Sequence, residues 1–165
     1  MKILIVYGTR KGTTTKTSEV ISNVLSDEFS HEVEVYPIKH KRRFIKRLTD
    51  FDLVIVGSSI VSGRWVNSCK NLLKKFRRST QPLAIFVTAG GTMHKVQKYG
   101  IQKSDAIQDG IEKYIDKYVD KYKLNPVSKM VLGGRVMKKG VARYDNWNEE
   151  DIKNWTRELA KMIEK

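Results

Sequence analysis

The chain opens with Lys2-Ile3-Leu4-Ile5-Val6-Tyr7, runs straight into Gly8-Thr9-Arg10-Lys11-Gly12-Thr13-Thr14-Thr15, and then enters a stretch with apolar residues at helical spacing. A short apolar strand that feeds a loop of Gly, Thr and basic residues, which in turn opens a helix, is a way to build an anion site. The free N–H groups of the first helical turn and the positive end of the helix dipole face the ligand. The loop hydroxyls can add donors. Neither G-x-x-x-x-G-K-[ST] nor G-x-G-x-x-G can be read here. Many threonines with only two glycines point to a terminal monophosphate wrapped by hydroxyls and amides. The plainer alternative is an ordinary strand-to-helix connection with a good N-cap.

The same strand pattern recurs. Ile3 to Tyr7, Leu53 to Gly57 and Leu83 to Thr88 are apolar without alternation, as strands buried on both faces are. Val33 to Tyr36 reads as a strand stopped at Pro37, and residues 128–136 as a last strand. Helices are expected over residues 14–29, 39–48, 65–78, 104–122 and from Asn148 onward, with Ser104 and Asn148 as caps. Residues 92–103 show no period, and residues 137–147 read as loop. This alternation implies a parallel sheet covered on both faces, with right-handed crossovers. Two doubly wound arrangements suit it, and both place ligands at the carboxyl ends of the strands. Three loops meet there: residues 8–14, 58–64 and 88–95, the loops richest in Gly, Ser and Thr.

At 165 residues one domain is expected over residues 1–165, long enough for a real core. The apolar start is too short for a signal peptide, and the single Cys69 cannot form an internal disulfide; both favour the cytoplasm. No metal site is expected, because His31 and His40 have no partner at ligand spacing. Thirty-two Lys and Arg against eighteen Asp and Glu leave a net charge of +14, a field that favours anionic partners. Two basic runs stand out, Lys39-His40-Lys41-Arg42-Arg43 with Lys46-Arg47, and Lys74-Lys75 with Arg77-Arg78. No recognised nucleic-acid motif accompanies them, which ranks nucleic acid last among such partners.

With its three loops taken together, the chain resembles the flavodoxin-like family across nearly its whole length. The family's phosphate loop, S/T-x-T-G-x-T, is matched at Thr9, Gly12 and Thr14 and departs at Lys11. The resemblance implies a doubly wound sheet of five parallel strands in the order 2-1-3-4-5. It also implies FMN, with its phosphate on Thr9, Arg10, Lys11, Gly12, Thr13 and Thr14. The flavin ring would lie between Ser58, Ser59, Ile60, Ser62, Gly63 and Trp65 on one side and Thr88, Ala89, Gly90, Gly91 and His94 on the other. Within the family, the menaquinone-linked protoporphyrinogen dehydrogenase branch looks nearest. Its G-x-S-I-x-x-G loop is similar to Gly57, Ser59, Ile60 and Gly63, and its terminal Trp and Arg-Glu pair to Trp147 and Arg157-Glu158. That branch carries a long basic, aromatic insertion where this chain has only residues 137–146, so its substrate does not transfer.

Carrier flavodoxins resemble one another in acidic surroundings and aromatic rings flanking the flavin. Here Val61, Gly63 and Arg64 occupy the second loop, Trp65 is the nearest ring, and the third loop has no aromatic until Tyr99. A cationic, less stacked site implies a higher potential than a carrier has. Arg10 and Lys11 are candidate phosphate contacts and His94 a candidate donor, while Cys69 reads as a small buried filler. The first reading is therefore an FMN-dependent oxidoreductase or electron-transfer protein. Its partner would be a redox protein or quinone presenting an anionic surface, with peripheral membrane contact an option. The rivals are a flavin-free basic α/β protein that binds nucleic acid or anionic membrane, and a protoporphyrinogen dehydrogenase-like enzyme. A phosphate-ester enzyme ranks lower, because the first loop holds no Asp or Cys nucleophile.

Overall fold

A computed structural model describes residues 1–165. Five strands, β1 (Lys2–Gly8), β2 (Glu32–Pro37), β3 (Leu53–Ser59), β4 (Leu83–Thr88) and β5 (Ser128–Leu132), pair in parallel in the order β2-β1-β3-β4-β5. The expected doubly wound sheet is the one observed. The central strands β1, β3 and β4 are buried almost along their whole length, which is why their sequences show no alternation. Their registers bring Gly8 beside Ser58 and Ser59 beside Thr88, so the first three carboxyl ends form one rim.

Two apolar layers enclose the sheet. On one face, α1 (Thr13–Asp27) and α6 (Glu149–Ile163) cover Ile3, Ile5, Ile55 and Phe86 with Ile21, Leu25, Trp155 and Leu159. Asn148 caps α6 as expected, its Oδ1 accepting the Asp151 amide at 3.0 Å. Arg157 of α6 donates from Nε and Nη2 to the Glu28 carboxylate at 2.7 and 2.9 Å, a forked pair that ties the two helices together. On the other face lie the segment after β2, α2 (Asn67–Leu73), and a long helix that runs as α4 (Lys103–Ile111), a π turn (Glu112–Asp116) and α5 (Lys117–Tyr122). They bury Phe44, Leu73, Phe76, Ile115 and Tyr122 against Leu4, Val54 and Ile85.

Several boundaries differ from the sequence reading. Residues 39–48 form two 3₁₀ segments, Ile38–Arg43 and Ile45–Asp50, pinned by Phe44, which is fully buried between them. The helix expected from Trp65 begins at Asn67 and tightens to 3₁₀ at Lys74–Phe76. Helix α3 (Gly90–Tyr99), closed by Gly100, occupies most of the stretch 92–103 that shows no period. The cap expected at Ser104 falls at Gln102, one residue before α4. The last strand stops at Leu132, and the expected loop is an antiparallel hairpin of β6 (Arg135–Lys138) and β7 (Val141–Asp145).

On the edge strand β2, Glu34 accepts from Arg47 Nη2 at 2.8 Å and from the Tyr36 hydroxyl at 2.9 Å, with Lys2 Nζ at 3.6 Å. The Arg47 guanidinium, more than any other neighbour, lowers the Glu34 carboxyl from 4.5 to about 2. A carboxyl whose folded pKa is depressed contributes stability that is present above about 4.5 and is lost as the pH falls toward about 2. The parent chain should therefore hold an advantage over Glu34→Gln in urea midpoint at pH 6, and the two midpoints should converge by pH 2. A constant gap across that range would overturn the assignment.

Candidate functional site

The phosphate loop is a cradle of unused donors. Helix α1 starts directly behind Gly12, whose φ of +86° is the left-handed turn that lets the amides swing to one side. The Gly12 amide is held by Thr9 Oγ1 at 2.9 Å, and no side chain caps the helix. The first intrahelical bond runs from the Lys16 amide to Gly12 O, so the amides of Thr13, Thr14 and Thr15 open the helix without an acceptor. Ser59 Oγ, at the end of β3, is buried and has no partner. It lines a narrow cleft with Thr9, Lys11, Thr13, Thr88 and Gly90. A buried hydroxyl normally finds a partner, and this one has none within the protein.

That cleft opens into a cavity of about 300 Å³. Its walls are the second loop from Ile60 to Gly63, the start of α3 with Ala89, Gly91 and Thr92, and the hairpin with Arg135, Val136, Met137 and Tyr144. Tyr114 of the π turn completes it. Lys11 and Arg135 are its only charged side chains, and no carboxylate lines it.

The second loop folds back on itself. Val61 and Arg64 exchange both backbone hydrogen bonds, at 3.1 and 3.0 Å, across Ser62 and Gly63, which have φ of +50° and +73°. Two consecutive positive φ values make the tight reversal typical of a type I′ turn. Ser62 and Gly63 thereby line the cavity, and the chain after them turns inward.

Several expected contacts have other roles. Trp65, expected to flank a ring, is 3% exposed and belongs to the core; its Nε1 donates to Tyr114 O at 2.8 Å and its ring meets Tyr118 edge-on. Arg10 donates from Nη1 to Arg64 O at 2.9 Å and from Nη2 to Trp65 O at 2.6 Å, so it clamps the second loop to the first rather than pointing at the cradle. Ser58 Oγ accepts the Val66 amide at 2.9 Å and is fully buried. The Thr14 and Thr88 hydroxyls lie 2.9 Å apart and satisfy each other, which leaves only the amide of Thr14 without a partner. His94 lies behind Tyr144, its ring stacked at 4.0 Å and 7°. Cys69 is fully buried as expected, and burial pushes its thiol up to about 12.

The hairpin is the part that the sequence reading missed. Asn146 anchors it: Oδ1 accepts the Gly134 amide at 2.9 Å, and Nδ2 donates to Gly90 O at 2.8 Å. Gly90 must be glycine there, because a Cβ would stand 2.9 Å from Gly134 O. The available signal was Lys139-Gly140, a turn pair weaker than Asn-Gly, whose two residues both adopt positive φ in the structure.

The two basic runs share one face, as expected. Exposed Lys41, Arg42 and Arg43 sit on the segment that packs against α2, and exposed Lys74, Lys75, Arg77 and Arg78 follow α2 in the chain. No helix is long and apolar enough to cross a membrane.

Helix-terminal amides beside a cavity of ligand size, both at the carboxyl edge of a 2-1-3-4-5 sheet, define a doubly wound α/β protein with its cleft where such folds carry their ligands. A family model described as Flavodoxin domain matches residues 4–161, and the chain belongs to that family. Similar solved structures include oxidised flavodoxin 1 from Bacillus cereus, 15% identical, with a TM-score of 0.61 and 98% of each chain covered. A flavodoxin from the domain Archaea is 14% identical, with a TM-score of 0.60 and 100% of each chain covered. The rubredoxin oxygen:oxidoreductase of Desulfovibrio gigas is 16% identical with a TM-score of 0.64; 99% of this chain aligns to only 36% of that protein. Likeness at these identities shows the fold. No curated protein matches the chain in sequence.

Proposed function

We propose that this chain binds FMN and works as a flavin-dependent electron-transfer protein or oxidoreductase. The observation that carries this reading is the orphaned Ser59 hydroxyl in one cleft with Thr13, where α1 opens with unpaired amides, beside the ring-sized cavity. The residues fit the group: Thr9, Thr13, Ser59 and the amides of α1 would hold the phosphate, and Lys11 would add charge beside it. The turn from Ile60 to Gly63 and the start of α3 would embrace the ring. FMN would supply the redox chemistry; the protein positions the ring, limits water and sets the charge around it.

Lys11 favours the reduced, more negative flavin, and no carboxylate lines the cavity; Arg135 adds less, because its Nε is paired with Asp145 Oδ2 at 3.2 Å. The proposed potential is accordingly above that of an acidic carrier flavodoxin. The basic face supports a partner that presents acidic groups, whether a redox protein or the rim of a quinone-reducing assembly. The shared Gly57, Ser59, Ile60 and Gly63 motif supports kinship with the protoporphyrinogen dehydrogenase branch. The compact hairpin, Arg135–Lys138 with Val141–Asp145, stands in place of that branch's insertion, so the proposal stays with the redox activity and names no porphyrin substrate.

The test is an absorption and fluorescence titration of the purified chain with FMN, followed by a reduction titration of the complex. One FMN per chain with a shifted flavin band is expected, and a potential near or above that of free FMN. No binding at high FMN would sink the cofactor reading. A potential far below free FMN would sink the electrostatic one.

A further inference from the structure

We infer that Tyr144, delivered by the β6–β7 hairpin and braced by His94, is the aromatic face on which the bound ring stacks, a role neither loop of the cleft can fill. This inference rests on the flavin reading above.

The two loops leave the cavity short of rings. The second contributes Ile60, Val61, Ser62 and Gly63, and its tryptophan is spent on the core through the bond to Tyr114 O. The start of α3 contributes Ala89, Gly91 and Thr92. Only Tyr114 and Tyr144 bring rings to the lining. Tyr114 is 7% exposed, immobilised in the π turn beneath Trp65, and has little surface to give. Tyr144 is half-buried on β7.

The surroundings of Tyr144 hold it in one orientation. His94 covers one face in a parallel stack, so the other face and the edge are what remain for the cavity. The Tyr144 hydroxyl reaches the start of α3, 3.7 Å from where a Cβ on Gly91 would stand, an ordinary contact distance. His94 Nδ1 is buried without a hydrogen-bond partner, so no polar contact at that nitrogen explains the stack. A histidine left with an unpaired nitrogen to brace one tyrosine fits a ring that must be presented in a fixed pose. Asn146 holds the hairpin base to Gly90, which fixes Tyr144 relative to the loop that would carry the flavin.

An electron-rich phenol stacked on a flavin quenches its fluorescence and adds offset-stacking attraction. Aromatic pairs of this kind correspond to roughly a two- to tenfold change in affinity. His94 is then a positioning residue, acting through Tyr144.

The test titrates parent, Tyr144→Leu, Tyr144→Trp and His94→Ala chains with FMN, reading dissociation constant, residual fluorescence of the bound flavin and its visible spectrum. Circular dichroism and thermal midpoints verify folding. Tyr144→Leu should bind about two- to tenfold more weakly and leave bound FMN clearly brighter. Tyr144→Trp should quench at least as well as the parent and so reports even if the leucine variant folds poorly. His94→Ala should fall between. If the parent binds FMN and all four chains quench it alike, this inference fails and the cofactor reading stands. If the parent binds no FMN, both fail together.

Discussion

Thr13→Asp should remove FMN binding while leaving the fold at least as stable. Thr13 is the first residue of α1, half-buried, and lines the cleft with Thr9, Lys11 and Ser59. The first turn of α1 carries no acidic residue and its cap uses no side chain. A carboxylate there satisfies a free amide and meets the positive end of the dipole, a gain of a few tenths to about 1 kcal/mol. The same charge faces the phosphate. At an effective dielectric constant near 20, a unit charge about 5 Å away costs roughly 3 kcal/mol for each charge it opposes. Affinity for FMN should therefore fall at least about a hundredfold. Riboflavin, which has the ring without the phosphate, should bind parent and variant equally. The thermal midpoint should hold or rise. If the variant keeps parental FMN affinity, the phosphate does not lie at this helix end.

The split between phosphate and ring follows how the sequence encodes the two halves of the site. The proposed phosphate half is local apart from Ser59, which β3 brings to it. Gly12, the threonines and the start of α1 are contiguous, so chain order alone places the free amides at the end of β1. The central strands are equally legible, because burial on both faces removes alternation and leaves runs such as Leu53-Val54-Ile55-Val56. The ring half is assembled from segments far apart in the chain. Helix α3 buries little besides Thr92 and Met93 in its first turn, too few apolar positions to show a period. The hairpin is stabilised by Asn146 reaching Gly90, fifty-six residues away, and by Tyr144 meeting His94. Neither contact leaves a periodic trace, and so residues 137–147 read as loop.

Direction is a further thing that adjacency does not encode. Trp65 follows the second loop by one residue, and Arg10 and Thr14 sit inside the phosphate motif, yet each side chain points elsewhere. The reversal at Ser62 and Gly63 returns the chain toward β3, so the next ring enters the layer beneath the sheet. Arg10 then finds the carbonyls that this reversal exposes.

Trp65 consequently separates core from cofactor. Trp65→Ala should cost about 3–5 kcal/mol, the range for deleting a large buried aromatic. For a chain of this size that lowers the thermal midpoint by roughly 10 °C. Trp65→Phe keeps most of the packing and loses the indole N–H bond to Tyr114 O, so its loss should be near 1–2 kcal/mol. Because the ring lies in the core against Tyr118, the phenylalanine variant should leave the fluorescence and visible spectrum of bound FMN as in the parent. A substitution at Tyr144 should do the reverse, changing the flavin signal with a smaller effect on stability, since that ring packs on one histidine at the rim. Should Trp65→Phe alter the flavin spectrum as much as Tyr144→Leu does, the second loop must open when FMN binds. The clamp from Arg10 to the Arg64 and Trp65 carbonyls would then be the contact that has to break.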